Sequence, residues 1–180
     1  MTDREIKQQT QRFRIAIEHA RDEGRFKEDI SFDRFPWACC GDTSLLLAEY
    51  LQKYGVDSIY VENERDGGSH AWLVVKDNRI KAPQKMVNRY PEQLWDTLQS
   101  YGVANPEKPI DITHYELDDI KDALIVDITS DQFSDYDIPV YVGKLDEFHK
   151  TFSFERANDY NGLKSVRLRN LYRIIEEYLS

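Results

Sequence analysis

Two thiols stand side by side at Cys39 and Cys40. The second lies where the loop Phe35-Pro36-Trp37-Ala38-Cys39 gives way to an apolar run from Gly41 to about residue 54. A thiol at a helix N-terminus faces unpaired backbone N–H groups and the positive end of the macrodipole, and both favour thiolate over thiol. Further along, Ser69-His70-Ala71-Trp72-Leu73-Val74-Val75 sets a histidine at the start of a strand-like segment. Ala123-Leu124-Ile125-Val126-Asp127-Ile128-Thr129 sets a carboxylate at the end of another. A nucleophile, a base and a carboxylate to orient the base are the parts of cysteine-dependent amide chemistry. Cys40, His70 and Asp127 are therefore the candidate catalytic residues.

Taken singly, each has a plainer account. A cysteine before a helix is commonly a small buried hydrophobe, a strand histidine a satisfied core or surface residue, and an aspartate after a strand a turn former. Their order and their placement on three expected elements give the trio its weight. Cys39 is the rival nucleophile, but Cys40 directly precedes Gly41 and the helical run, which puts its N–H nearer the helix start. Asp111 also begins an Asp-Ile-Thr, yet Pro109 lies two residues before it and no apolar strand leads into it. His19 reads as helix surface, and His114 and His149 as loop or strand-edge residues. Asp131 and Gln132 are candidates to orient the site, and a solvated turn is the simpler account of both.

The elements that would carry these residues follow from periodicity. Residues 4–23 place Ile6, Phe13, Ile17 and Ala20 at helical spacing among charges, with Gly24 as a stop. Residues 25–38 read as a loop. The Cys40 helix carries Leu45, Leu46, Leu47, Ala48 and Leu51 around most of its girth and stops at Gly55, as expected of a buried helix. Residues 56–62 and 70–76 read as strands joined by a turn at Asp66-Gly67-Gly68, so a hairpin is expected. Residues 123–128 and 138–142 give two more strands, and residues 162–179 a final amphipathic helix. Between them, residues 77–122 read as an insertion rather than a separate domain, with a short helix after Tyr90 and a turn through Asn105-Pro106-Glu107-Lys108-Pro109. A single domain spanning residues 1–180 is expected.

Composition narrows the function classes. A chain of 180 residues with 41% hydrophobic content supports one core, and a net charge of −9 without a basic stripe argues against nucleic acid as a partner. No apolar run nears the ~20 residues that span a bilayer, and the N-terminus has no signal-like apolar stretch, so a cytoplasmic protein without membrane contact is expected. Adjacent cysteines, ~3.8 Å apart at Cα, sit below the usual disulfide range and are poorly spaced for zinc, so free thiols, no metal and no cofactor are expected.

Read together, Cys40-Gly41-Asp42-Thr43-Ser44-Leu45-Leu46-Leu47-Ala48-Glu49-Tyr50-Leu51, Ser69-His70-Ala71-Trp72-Leu73 and Val126-Asp127-Ile128-Thr129-Ser130-Asp131-Gln132-Phe133 resemble the transglutaminase-like branch of the papain-like cysteine enzymes. Small bacterial members are the nearer likeness and the leader peptidases of lasso-peptide maturation a more distant one. The resemblance implies an α+β fold: a helix bearing the cysteine packed on an antiparallel sheet, with His70 and Asp127 on neighbouring strands. It implies a cysteine peptidase, deamidase or acyltransferase working through a thioester on a peptide or protein amide. The alternative is a catalytically silent relative that binds a protein partner. In the family the His and Asp strands are usually joined by a short turn, whereas 56 residues separate them here. The insertion is expected to pack its helix around Leu94, Trp95 and Leu98 beside the cleft and to select acyl donors.

Overall fold

Thr2 and Glu5 exchange hydrogen bonds in a capping box that starts α1 (Asp3–Asp22), and Gly24, at φ 71°, follows its end. The computed structural model describes residues 1–81, 84–87 and 111–179. α1 buries Ile6, Thr10, Phe13, Ala16, Ile17 and Ala20 as one stripe. The stretch read as a loop contains one helical turn, α2 (Ile30–Asp33), because the Asp29 side chain accepts the Phe32 N–H and caps it. α3 (Cys40–Gln52) then begins at Cys40, and Gly55 closes it at φ 74°.

The hairpin forms as expected. β1 (Ser58–Arg65) and β2 (Gly68–Val75) pair from Ser58–Val75 to Arg65–Gly68 around Asp66-Gly67, both with positive φ, the backbone that matches strand twist in a two-residue turn. The remaining strands are β3 (Gln84–Val87), β4 (Asp111–His114), β5 (Ile125–Asp127), β6 (Tyr141–Gly143) and β7 (Ser153–Asp159). They join one sheet in the order β3-β4-β7-β1-β2-β5-β6, antiparallel at every junction. The chain is thus a mixed α+β fold, completed by α4 (Leu117–Ile120) and α5 (Val166–Glu176).

Several expectations are corrected. The strand placed at 138–142 starts at Tyr141, and the final helix spans only Val166–Glu176. β7 is absent from the sequence reading, because Ser-Phe-Glu-Arg-Ala-Asn-Asp buries only Ala157 and shows no apolar run. The 77–122 insertion supplies two strands, β3 and β4, to the edge of the sheet beside β7, away from β2 and β5. Its expected helix around Leu94, Trp95 and Leu98 and its turn at Asn105 lie outside the described residues.

β2 is buried on both faces, which explains its nearly unbroken apolar run. Leu73 and Val75 pack toward Phe13, Leu46, Leu47 and Leu51 of α1 and α3. Trp72 and Val74 pack on the opposite face with Ile59, Val61, Ile125, Phe148 and Phe152.

One buried cation ties α1 to the segment after β5. Arg14 donates to Ile128 O and Pro139 O, both at 2.7 Å, grips both oxygens of Asp131 at 2.7 and 2.8 Å, and reaches Glu18 at 2.8 Å. Asp131 is therefore a structural anchor rather than a solvated turn residue. Arg14→Ala strands the buried Ile128 carbonyl, the part-buried Pro139 carbonyl and a half-buried carboxylate. It is expected to lower unfolding free energy by about 2–4 kcal/mol in urea titration. A loss below about 0.5 kcal/mol would mean that the clamp contributes no more than an exposed pair.

Candidate active site

β5 pairs with β2 only at Leu73–Val126 and Val74–Ile125. Beyond Asp127 the chain turns away, its path set by the Asp127 carboxylate, whose Oδ1 accepts the Thr129 N–H at 2.8 Å and the Thr129 hydroxyl at 3.2 Å. The β2 edge at Ser69–Ala71 is left to the start of α3. Ser44 Oγ donates to Ala71 O at 3.1 Å, Cys40 Sγ lies 3.9 Å from Ser69 O, and the Ala71 N–H turns toward the sulfur. The helix end is thereby docked on open strand edge, with the thiol as its point of contact.

His70 shares a strand face with Trp72 and Val74, the face on which Asp127 stands. Its Nε2 meets Asp127 Oδ2 at 2.6 Å, both groups being within 1% of complete burial. On the other side the Cys40 thiol stands close enough for thiol and imidazole each to shift the other's titration. Trp72, Phe133 and Phe152 surround the ring at 5.0–5.6 Å and pack on one another at 5.3–5.8 Å, an apolar wall that keeps water from the His70–Asp127 bond. The structure brings together all three candidates from the sequence.

The electrostatics follow from these contacts. Burial by itself would raise the Cys40 pKa, but the hydrogen bond and charge of His70, with N–H groups from Ala71 and Gly41, bring it below the ordinary thiol value. For His70, burial disfavours the cation, and the Asp127 charge and hydrogen bond, aided by Cys40, overcome it and raise the pKa to about 9. Burial likewise opposes an ionised Asp127, and His70 and His149 hold it below the usual carboxylate range. All three shifts run toward the charged forms: thiolate at Cys40, imidazolium at His70 and carboxylate at Asp127.

Cys39 has the opposite environment. It is buried, its thiol pushed up to about 12 chiefly by desolvation, and the Thr43 hydroxyl donates to it at 3.4 Å. It behaves as a small core residue. β4, which carries Asp111, lies three places from β2 in the sheet, and Asp127 holds the position beside His70. His19 is exposed, as expected.

Two residues are corrected. Gln132 is buried, not solvated: its Oε1 accepts the Ala38 N–H at 3.3 Å, its Nε2 donates to Thr129 O at 2.9 Å, and the same Nε2 lies 3.3 Å from His70 Nδ1. The two backbone partners fix which end of the amide faces the imidazole. Gln132 so ties the loop before Cys40 to His70, and its NH₂ group bonds Nδ1 only when that nitrogen carries no proton, which opposes the cation that Asp127 favours. His149, read as a loop or edge residue, is 1% exposed in the turn His149–Thr151, with Nε2 3.3 Å from Asp127 Oδ2. The only signal in the sequence was Asp-x-x-His at Asp146–His149, a common turn pattern.

The neighbourhood of the thiol is partly open. Ser69 lines a groove of about 440 Å³ with Glu62, Glu64, Gly67, Glu155 and Arg156. Tyr60 donates to Glu62 at 3.0 Å, and its hydroxyl lies so near Gly41 that a Cβ there would meet it at 2.9 Å, which favours glycine after Cys40. The Trp37 indole is 59% exposed and makes no hydrogen bond among the described residues. Among the described residues no group of three His, Cys, Asp or Glu is placed to hold a metal, and no helix is long and apolar enough to cross a membrane. No protein-family model, curated protein or solved structure matches the chain.

Proposed function

We propose that Cys40, His70 and Asp127 form the triad of a cysteine hydrolase or acyltransferase with a transglutaminase-like core, acting on a peptide or side-chain amide. The observation that carries this reading is the buried 2.6 Å bond between His70 and Asp127, with the partly exposed Cys40 thiol beside the same imidazole. The Cys40 thiolate attacks the amide carbonyl carbon, and the carbonyl electron pair moves onto oxygen. The N–H groups at the start of α3, which have no intrahelical partner, face that developing charge. His70 gives its Nδ1 proton to the nitrogen as the C–N bond breaks, leaving a thioester and a neutral imidazole. Water or an amine then attacks the thioester, loses its proton to His70, and releases the acyl group with regeneration of the thiolate. Asp127 keeps Nε2 protonated throughout, so Nδ1 remains the nitrogen that exchanges protons.

Iodoacetamide at about pH 6 is expected to alkylate Cys40 at least tenfold faster than Cys39, read by peptide mass spectrometry. Cys40→Ser should remove the fast phase and Cys39→Ala should keep it. Equal, slow labelling of the two thiols would exclude an activated nucleophile. Ammonia release from casein, with and without incorporation of a dansylated primary amine, then separates hydrolysis from acyl transfer.

A further inference from the structure

The thioester chemistry leaves one buried imidazole unused. His149 Nε2 lies 3.3 Å from Asp127 Oδ2, the oxygen that also bonds His70, while its Nδ1 lies 2.6 Å from Asp146 Oδ1. Asp146 is itself held, since its Oδ1 accepts the His149 backbone N–H at 2.9 Å and its Oδ2 accepts the Tyr136 hydroxyl at 2.8 Å. The titratable or charged groups facing the His149 ring among the described residues are Asp127 on β5, Asp146 in the preceding turn, and the rings of Tyr136 and Tyr141. Trp72 and Phe148 close the remaining sides at 5.0 and 5.2 Å.

An imidazole with a carboxylate oxygen at each nitrogen satisfies both only when both nitrogens carry protons, because a bare ring nitrogen would face an acceptor. We propose that His149, as an imidazolium braced by Asp146, is a positioning residue that fixes the Asp127 carboxylate toward His70 and adds positive charge behind the Cys40–His70 pair. The inference rests on the catalytic reading of Cys40, His70 and Asp127. It makes the site a five-member relay, Cys40–His70–Asp127–His149–Asp146, in which the outer two residues never touch substrate.

Loss of His149 acts on Cys40 in one direction by two routes. A freer Asp127 stabilises the His70 imidazolium less well, and a cation is removed from the vicinity of the thiolate. Both raise the pH at which Cys40 becomes reactive. The midpoint of iodoacetamide alkylation against pH should rise by about one unit in His149→Gln, tenfold less thiolate at a fixed acidic pH, and should move the same way in Asp146→Asn. Circular dichroism and thermal melting accompany each variant. If His149→Gln does not fold, Asp146→Asn decides, since that carboxylate is partly exposed and its amide fills the same space. Folded variants with an unmoved midpoint would reduce His149 to packing and overturn the inference. An ordinary thiol midpoint in the unsubstituted protein would instead overturn the catalytic reading, and the inference with it.

Discussion

Asp127→Asn is expected to slow alkylation of Cys40 at about pH 6.5 by roughly two orders of magnitude while leaving the chain folded. The carboxylate accepts at Oδ2 from His70 and at Oδ1 from Thr129, so it is an acceptor on every side. An amide can keep the Thr129 bonds through its oxygen only by presenting its NH₂ group to His70 Nε2. The imidazole must then accept at Nε2 and carry its proton on Nδ1, the nitrogen beside the thiol. A neutral ring of that tautomer cannot take the thiol proton, and the charge that favoured an imidazolium is gone. Cys40 then titrates as an ordinary thiol, of which about one part in a hundred is thiolate at that pH. A rate within about threefold of the unsubstituted protein would show that Asp127 only closes the turn at Thr129.

That experiment bears on a carboxylate that the sequence reads as ending a strand, as Asp127 ends β5 beside His70, and the reason is physical. Cys40, His70 and Asp127 each stand where an element begins or ends, and element ends are written locally, in the switch from loop residues to an apolar run. The hairpin at Asp66-Gly67 is legible for the same cause, since two adjacent residues must tolerate positive φ. What supports the site is not local. Arg14 reaches Ile128 and Asp131 across more than a hundred residues, Gln132 joins Ala38 to His70, and His149 reaches back to Asp127. Each of these polar residues is of a type normally exposed, so burial is knowable only once the sheet has formed. β7 escapes the pattern for a related reason. Its strand is fixed by pairing with β1 and β4, while every side chain but Ala157 stays at least partly exposed, Glu155 and Arg156 lining the groove with Glu62.

The same ion pair should leave a signature in stability that needs no substrate. Folding lowers the Cys40 pKa below its ordinary 9.0 and raises that of His70 from 6.5 to about 9. The cysteine's contribution to stability is complete above its unfolded value and is lost as pH falls toward its folded one. The histidine's contribution is complete below 6.5 and is lost as pH rises through about 9. In the part of that window that lies above the lowered Cys40 value, the native pair holds one proton, on the imidazole, and the unfolded pair also holds one, on the thiol. The opposing slopes cancel, and the pair adds little pH dependence to the unsubstituted protein across this window.

Cys40→Ser removes one limb only. The serine stays neutral, His70 remains raised by Asp127, and the native state now binds more protons than the unfolded one throughout the window. Stability of the variant should therefore fall as pH rises from about 6.5 to about 9. The full His70 shift corresponds to about 3 kcal/mol, but part of it comes from Cys40 itself, so a decline of about 1–2 kcal/mol is expected. Urea midpoints of the two proteins at the ends of the window measure it: level for the cysteine form, descending for the serine form. A level profile in the serine variant would mean that Asp127 by itself does not hold a proton on His70. A descending one would show that the proton needed by a departing amine already sits on His70 before any substrate arrives, held there by Asp127.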